Sequence, residues 1–143
     1  MQRQLNIQLL LDTHIFIWLI NGDEFLSSKA RRHIENVLEK EGGIAISAIS
    51  LWEISMLNSR KRILLNQPCL NWISHSLQAP GIYLSELTPE IAVDSCTLPN
   101  KFHGDPADRM IIATARILDV PLMTRDEKIL TYSQQGFVRC IKA

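Results

Sequence analysis

Cysteine is scarce here and wrongly spaced for structural chemistry. Cys69, Cys96 and Cys140 are odd in number, far apart and never in a C-x-x-C pair. That pattern excludes a disulfide framework and a cysteine zinc site, and it points to a reducing compartment. Glycine loops that cradle phosphates are missing too, with neither G-x-G-x-x-G nor G-K-[ST] present. Ser47 and Ser50 lack a G-x-S-x-G elbow, and His14, His33, His75 and His103 share no ligand spacing. Charge of one sign is absent: 15 Lys and Arg balance 15 Asp and Glu, so no overall basic field advertises nucleic acid. The apolar stretch from Ile7 to Ile20 is broken by Asp12 and His14, is too short to span a bilayer and is followed by no small-residue cleavage site. A soluble, cytoplasmic protein without a membrane segment is expected.

What is present suits a folded enzyme. The 143 residues are 46% apolar and 21% charged, which excludes a disordered chain and fits one domain over 1–143. Ile7–Leu11 reads as a central buried strand and Thr13–Ile20 as a short helix stopped by Asn21-Gly22. Ser27 or Ser28 caps a helix to about Lys40, with Ala30, Ile34, Val37 and Leu38 on one face. Ile44–Ile46 is a second strand, and a helix to about Asn58 starts at Ser47 or Ser50. Ile63–Leu65 fits a strand or a loop. Pro68 opens a helix to about Gln78 with Leu70, Ile73 and Leu77 inward, followed by an extended run at Ile82–Leu84. Thr88-Pro89 opens a helix to about Cys96, and Asp105-Pro106 opens one ending near Leu118. Val120–Met123 is a strand, Asp126–Tyr132 a helix and Phe137–Ile141 an edge strand. Strands alternating with helices predict a three-layer α/β/α sandwich around a parallel sheet.

Four separated acids carry the functional signal. Asp12 ends the first apolar strand, and ligand crevices of open α/β sheets lie at the C-terminal ends of strands. No basic residue adjoins it, and an unpaired buried carboxylate is costly. Further acids are available instead, and clustered acids become tolerable around a divalent cation. Glu53 lies inside an apolar helix if that helix starts at Ser47. If the helix starts at Ser50, Glu53 is instead the partner in a Ser50-x-x-Glu53 capping box. Asp105 reads as an N-cap and Asp108 as the residue carried toward the sheet edge. Asp126 follows a strand and also fits a turn or cap, with Thr124-x-x-Glu127 as a possible capping box. If these acids are committed to a site, the remaining surface is mildly basic through Arg60-Lys61-Arg62, Lys101, His103, Arg109, Arg125 and Lys128. That is compatible with a phosphate-bearing substrate.

The order of these pieces resembles the PIN-domain ribonucleases, most closely the VapC-like toxins of toxin–antitoxin modules. The matching segments are Leu10-Leu11-Asp12-Thr13-His14, Ile46–Ile54 around Trp52-Glu53, His103–Ala115 containing Asp105-Pro106-Ala107-Asp108-Arg109, and Val120–Asp126 ending Thr124-Arg125-Asp126. The resemblance spans nearly the whole chain. It implies an acidic catalytic and metal-binding site of Asp12, Glu53, Asp108 and Asp126, supported by Thr13 and Thr124, with Asp105 as ligand or cap. It further implies Mg²⁺ or Mn²⁺, one ion or two, acidifying a water that attacks an RNA phosphodiester. A homodimer is implied, as is a small cognate antitoxin that covers the site and often plants an Arg among the acids. Trp18, Leu19, Ile20 and Phe25 are apolar residues available for such partners.

Other functions fit less well. A PIN nuclease of RNA maturation or DNA flap cutting normally carries more chain than this. An aspartyl phosphotransferase of the haloacid-dehalogenase type wants an Asp where His14 stands. A catalytically dead binding module has no reason to keep all four acids.

Overall fold

Alternation along the strands assigns the two faces of the sheet. The computed structural model describes residues 6–143, so the first five residues of the expected domain lie outside it. In β1 (Ile7–Leu11), Leu9 and Leu11 face one hydrophobic core while Leu10 faces the other. In β2 (Gly43–Ser47), Ile44 and Ile46 join the first core and Ala45 the second. A strand buried on both faces reads as a continuous apolar run, because period-two alternation then places oil on either side.

Helices fill both faces. The first core is built with α1 (Thr13–Asn21), α2 (Ser28–Glu39), α3 (Ala48–Ser59) and α4 (Cys69–Leu77) through Phe16, Ile34, Ile54 and Trp72. The second uses α5 (Pro89–Cys96), α6 (Pro106–Leu118) and α7 (Glu127–Ser133) through Ile91, Ile111, Ile112 and Ile129. With β3 (Ile82–Ser85), β4 (Leu122–Thr124) and β5 (Cys140–Lys142), the described sheet has five strands in the order β3-β2-β1-β4-β5, all pairs parallel. This is the expected α/β/α sandwich.

The topology decides where a ligand goes. From β1 the chain winds outward through β2 and β3, then returns to β4 on the other side of β1. The order therefore reverses between β1 and β4, and crevices open at the carboxyl ends of strands flanking such a reversal. Leu11 pairs with Met123 there, so Asp12 and Thr124 leave the sheet side by side.

Several sequence expectations need correction. Leu70 is 74% exposed rather than inward, because α4 turns Trp72, Ile73, Ser76 and Leu77 toward the core. Pro68 stands at the cap position just outside α4. Ile63–Leu65 is loop, and the last strand keeps only Cys140–Lys142 because β4 offers just three residues to pair. The fourth strand is Leu122–Thr124, shifted onto the site residue Thr124. Gly22 ends α1 as foreseen, at φ 66, a left-handed geometry that costs glycine little. Among the described residues no helix is long and apolar enough to cross a membrane, and the three cysteines are free.

Candidate active site

Helices of a parallel α/β unit begin where strands end, as α1, α3 and α7 do here, and α6, which follows α5, brings a fourth N-terminus to the same acids. Asp12 caps α1, accepting from the Thr13 N–H at 2.8 Å. Ser47 caps α3, accepting from the Ile49 N–H. Asp105 caps α6 through the Asp108 N–H at 2.9 Å, and Asp126 caps α7 through the N–H groups of Lys128 and Ile129. Helix N-termini favour negative charge, so the same backbone that starts these helices makes an acidic pocket affordable. The Ser47 start settles the register of α3: Glu53 lies within the helix, and the alternative Ser50 box does not form. The Thr124–Glu127 box does not form either, since Asp126 takes the cap.

Two buried threonines tie the acids together. Thr124 is fully buried at the end of β4 and donates its hydroxyl proton to Asp12 Oδ2 at 2.6 Å. The same hydroxyl accepts from the Asp126 N–H at 3.0 Å. Thr13 donates to Glu53 Oε1 at 2.6 Å, while its backbone N–H bonds to Asp12. Glu53, Thr13, Asp12, Thr124 and Asp126 thus form one continuous hydrogen-bonded chain from α3 across β1 to α7. Ser50, fully buried, extends it: its hydroxyl stands 2.8 Å from that of Thr13. A hydroxyl has one proton to give. With Thr13 donating to ionised Glu53, Ser50 must donate to Thr13. Sequence reading weighed Ser50 only as a cap or nucleophile. The Ser50-x-x-Glu53 spacing reads locally as a capping box, because the role shown here depends on Thr13, 37 residues earlier.

Asp108 joins this group electrostatically rather than by hydrogen bonds. Its carboxyl accepts none of the hydrogen bonds among the described residues, whereas Asp12, Glu53, Asp105 and Asp126 each accept at least one. Burial, and then the charges of Asp105, Asp126, Asp12 and Glu53 in that order, push its pKa up to about 7. Burial also raises Asp12, against the hydrogen bonds from Thr124 and Thr13 and the nearby His14; Asp126 raises it further. Glu53 is raised mainly by burial, opposed by Thr13 and reinforced by Asp12 and Asp105. Asp108 feels the charge of both Asp12 and Glu53, Glu53 that of Asp12, and Asp12 that of Asp126. The fold therefore brings the acids of all four predicted segments into one pocket, with Asp105 at its exposed edge as a cap.

Whether a cation suits this pocket follows from its donors. All are hard oxygens, the preference of Mg²⁺ and Mn²⁺ rather than of softer metals. Asp108 is a half-buried carboxyl without a donor, which is the condition a cation relieves. Among the described residues no three acids, histidines or cysteines stand close enough together to hold an ion by themselves. The donor set accordingly fits an ion that keeps several of its own waters, as Mg²⁺ does.

Comparisons with known proteins bear on the family and the fold. Over 123 residues the chain is 35% identical to Ribonuclease VapC22 of Mycobacterium tuberculosis (strain ATCC 25618 / H37Rv), covering 86% of this chain and 90% of that protein. A toxin-antitoxin complex from Klebsiella pneumoniae superposes with a TM-score of 0.54 at 25% identity, covering 83% of this chain and 87% of that one. VapBC2 from Rickettsia felis, crystallised bound to a promoter DNA fragment, gives a TM-score of 0.69 at 15% identity over 95% and 98%, a likeness of fold. The family model described as PIN domain matches residues 9–134, and the chain belongs to the PIN domain family.

Proposed function

We propose that this protein is a divalent-metal-dependent endoribonuclease and the toxin of a toxin–antitoxin module. The observation that carries the catalytic reading is the hydrogen-bonded chain from Glu53 to Asp126 closing around the donor-free carboxyl of Asp108. The ribonuclease relative and the Klebsiella toxin-antitoxin complex support the substrate class and the partner.

Asp12 and Asp108 would hold Mg²⁺ or Mn²⁺, with Glu53 and Asp126 completing the set through water. When bound, such an ion supplies Lewis acidity that makes water a better nucleophile and offsets charge on the phosphate. The chain's own residues do the positioning. Thr124 fixes the Asp12 carboxylate by occupying Oδ2, and the Thr13 N–H occupies Oδ1. Thr13 holds Glu53 as an acceptor facing the pocket, where it can orient a water or receive its proton. Asp126 is anchored by two backbone N–H groups of α7, and Asp105 holds the start of α6 so that Asp108 stays in place.

Exposed apolar residues support the reading of partners. Of the four residues expected to serve partners, only Phe25 is exposed, at 64%. Trp18, Leu19 and Ile20 pack half-buried against the first core, and Trp52, Leu64 and Leu70 are exposed instead, at 58%, 92% and 74%. A soluble monomer seldom leaves so much uncovered. A homodimer and a small antitoxin that folds on binding would cover it.

The test is cleavage of single-stranded RNA by antitoxin-free protein in Mg²⁺ or Mn²⁺, with an EDTA arm and light scattering on the same sample. Cleavage that stops in EDTA supports the enzyme. Undiminished cleavage in excess EDTA overturns the mechanism, and a strictly monomeric mass at micromolar concentration overturns the dimer.

A further inference from the structure

The segment Leu98–Gly104, between α5 and α6, adopts a costly conformation and is held in it by several independent contacts. Asn100 and Lys101 both have left-handed backbones, at φ 54 and 50. Two consecutive non-glycine residues there are strained, and such strain persists only where the surroundings enforce it. The enforcement is visible. The Phe102 ring is buried against Tyr132 with centroids 5.1 Å apart, and the Tyr132 hydroxyl donates to the Pro99 carbonyl at 2.7 Å. Asn100 Nδ2 donates to Gln135 Oε1 at 2.9 Å. Gly104 passes so close that a Cβ would stand 2.2 Å from the Phe102 ring.

The clamp positions charge. Between this segment and α7 lies an open cleft of about 400 Å³ whose rim carries Lys101 and His103 on one wall and Lys128 on the other. Glu127 is the one acid lining it. Each wall lies within two residues of a candidate acid along the chain. His103 is followed by Gly104 and the cap Asp105, while the Lys128 N–H bonds to Asp126 Oδ1. In a chain of zero net charge, a cleft with three basic residues and one acid, on segments that also carry Asp105 and Asp126, is an organised asymmetry.

We propose that this cleft binds backbone phosphates of the RNA strand next to the scissile one, with Lys101 and Lys128 as the contacts from opposite walls. This rests on the ribonuclease reading and names the path by which the strand leaves the acids. Phosphates repelled by the carboxylates find cations a few residues away on either side. Lysine suits the task, since it meets phosphate as a point charge without reading the base.

The test uses Asp12→Asn protein in EDTA, so that a fluorescent single-stranded RNA is bound without cleavage. Its Kd is measured across a range of KCl concentrations with and without Lys101→Gln/Lys128→Gln. Arg32→Gln/Lys40→Gln, in and just after α2 on the opposite face of the sheet from α7, is the control. The cleft predicts roughly tenfold weaker binding at moderate salt. It also predicts a salt slope lower by about 1.4, at about 0.7 per neutralised phosphate on a single strand. The control keeps the parent slope. An unchanged slope in the lysine pair, or an equal fall in the control, overturns the cleft while leaving the ribonuclease reading intact. Failure of the parent to bind RNA at any salt, together with no cleavage by wild type in Mg²⁺, overturns the ribonuclease reading and the cleft with it.

Discussion

Thr124 donates its hydroxyl proton to Asp12 at 2.6 Å, though 112 residues separate them in sequence. The same oxygen receives the Asp126 N–H, so one buried hydroxyl serves two acids. Thr124→Val keeps the shape and removes both bonds. A buried acceptor and a buried donor are left unpaired, each costing about 1–3 kcal/mol. The variant is expected to melt lower and to lose cleavage by more than tenfold, while Thr124→Ser retains most of both. Equal activity in the Val and Ser variants would show that the hydroxyl orients nothing.

Asp12→Asn separates a catalytic carboxylate from a structural one. Burial already disfavours charge at Asp12, and the Thr124 hydroxyl can reverse its role to accept from the amide. Metal-free stability should stay unchanged or rise slightly, while cleavage is abolished. The thermal shift on adding Mg²⁺ should shrink, since an ion bound only by the folded state stabilises by RT ln(1 + [L]/Kd), about 2.7 kcal/mol at a hundred times Kd. Asp105→Asn should remain folded and active, because Asn caps a helix nearly as well as Asp. An Asp12→Asn protein that melts several degrees lower in EDTA and keeps its Mg²⁺ shift would make Asp12 structural.

The raised acids give the metal-free protein an inverted pH response. Asp108 titrates at about 7 when folded and at its ordinary 3.8 when unfolded. Between those values the folded state binds more protons, so stability is greatest at the acid end of the window and falls as pH rises through it. Asp12 and Glu53 act in the same direction. Melting temperature in EDTA should therefore decline from about pH 5 to pH 8, and Asp108→Asn should flatten the decline. Mg²⁺ competes with the same protons, so its stabilisation and the cleavage rate should grow across pH 6 to 8. A metal-free protein more stable at pH 8 than at pH 5 would contradict the raised values.

Ser50 acts through Thr13 on Glu53, and two substitutions divide its packing from its proton. Ser50→Ala preserves the volume of a fully buried position but frees the Thr13 hydroxyl to turn away from Glu53. Ser50→Thr keeps the hydroxyl and adds a methyl where no space is exposed, an overpacking cost of about 1–3 kcal/mol. The Thr variant should be the less stable and the more active of the pair. If activity simply follows melting temperature across both, Ser50 is a packing residue.

What the sequence disclosed depended on how local each feature is. β1 and β2 were legible because a strand buried on both faces is an unbroken apolar run, and Leu9-Leu10-Leu11 cannot be arranged otherwise in a small domain. The caps Ser27, Thr88 and Asp105 were legible because each bonds an N–H three residues on. Asp126 and Glu53 were ambiguous because their meaning depends on distant partners. Asp126 is at once a cap and a member of the acid cluster, a combination no local pattern separates. Leu70 misled because apolar spacing cannot say which of two overlapping faces a short helix turns inward; the larger Trp72 took the core. Ser50 went unread because its role requires Thr13, 37 residues earlier, to be its neighbour.

The pairing of β1 with β4 also sets when the pocket can first exist. During synthesis Asp12, Thr13, Ser50 and Glu53 emerge early and can assemble along the first core face. Yet β1 has no partner on its other edge until Leu122–Thr124 has been made. Contacts so distant in sequence close late. A nascent or truncated chain stopping short of Thr124 carries every one of these acids except Asp126, but an open strand edge and no clamp on Asp12. For a nuclease made on a ribosome, amid its own class of substrate, the order of strands is a delay: the blade is fitted last.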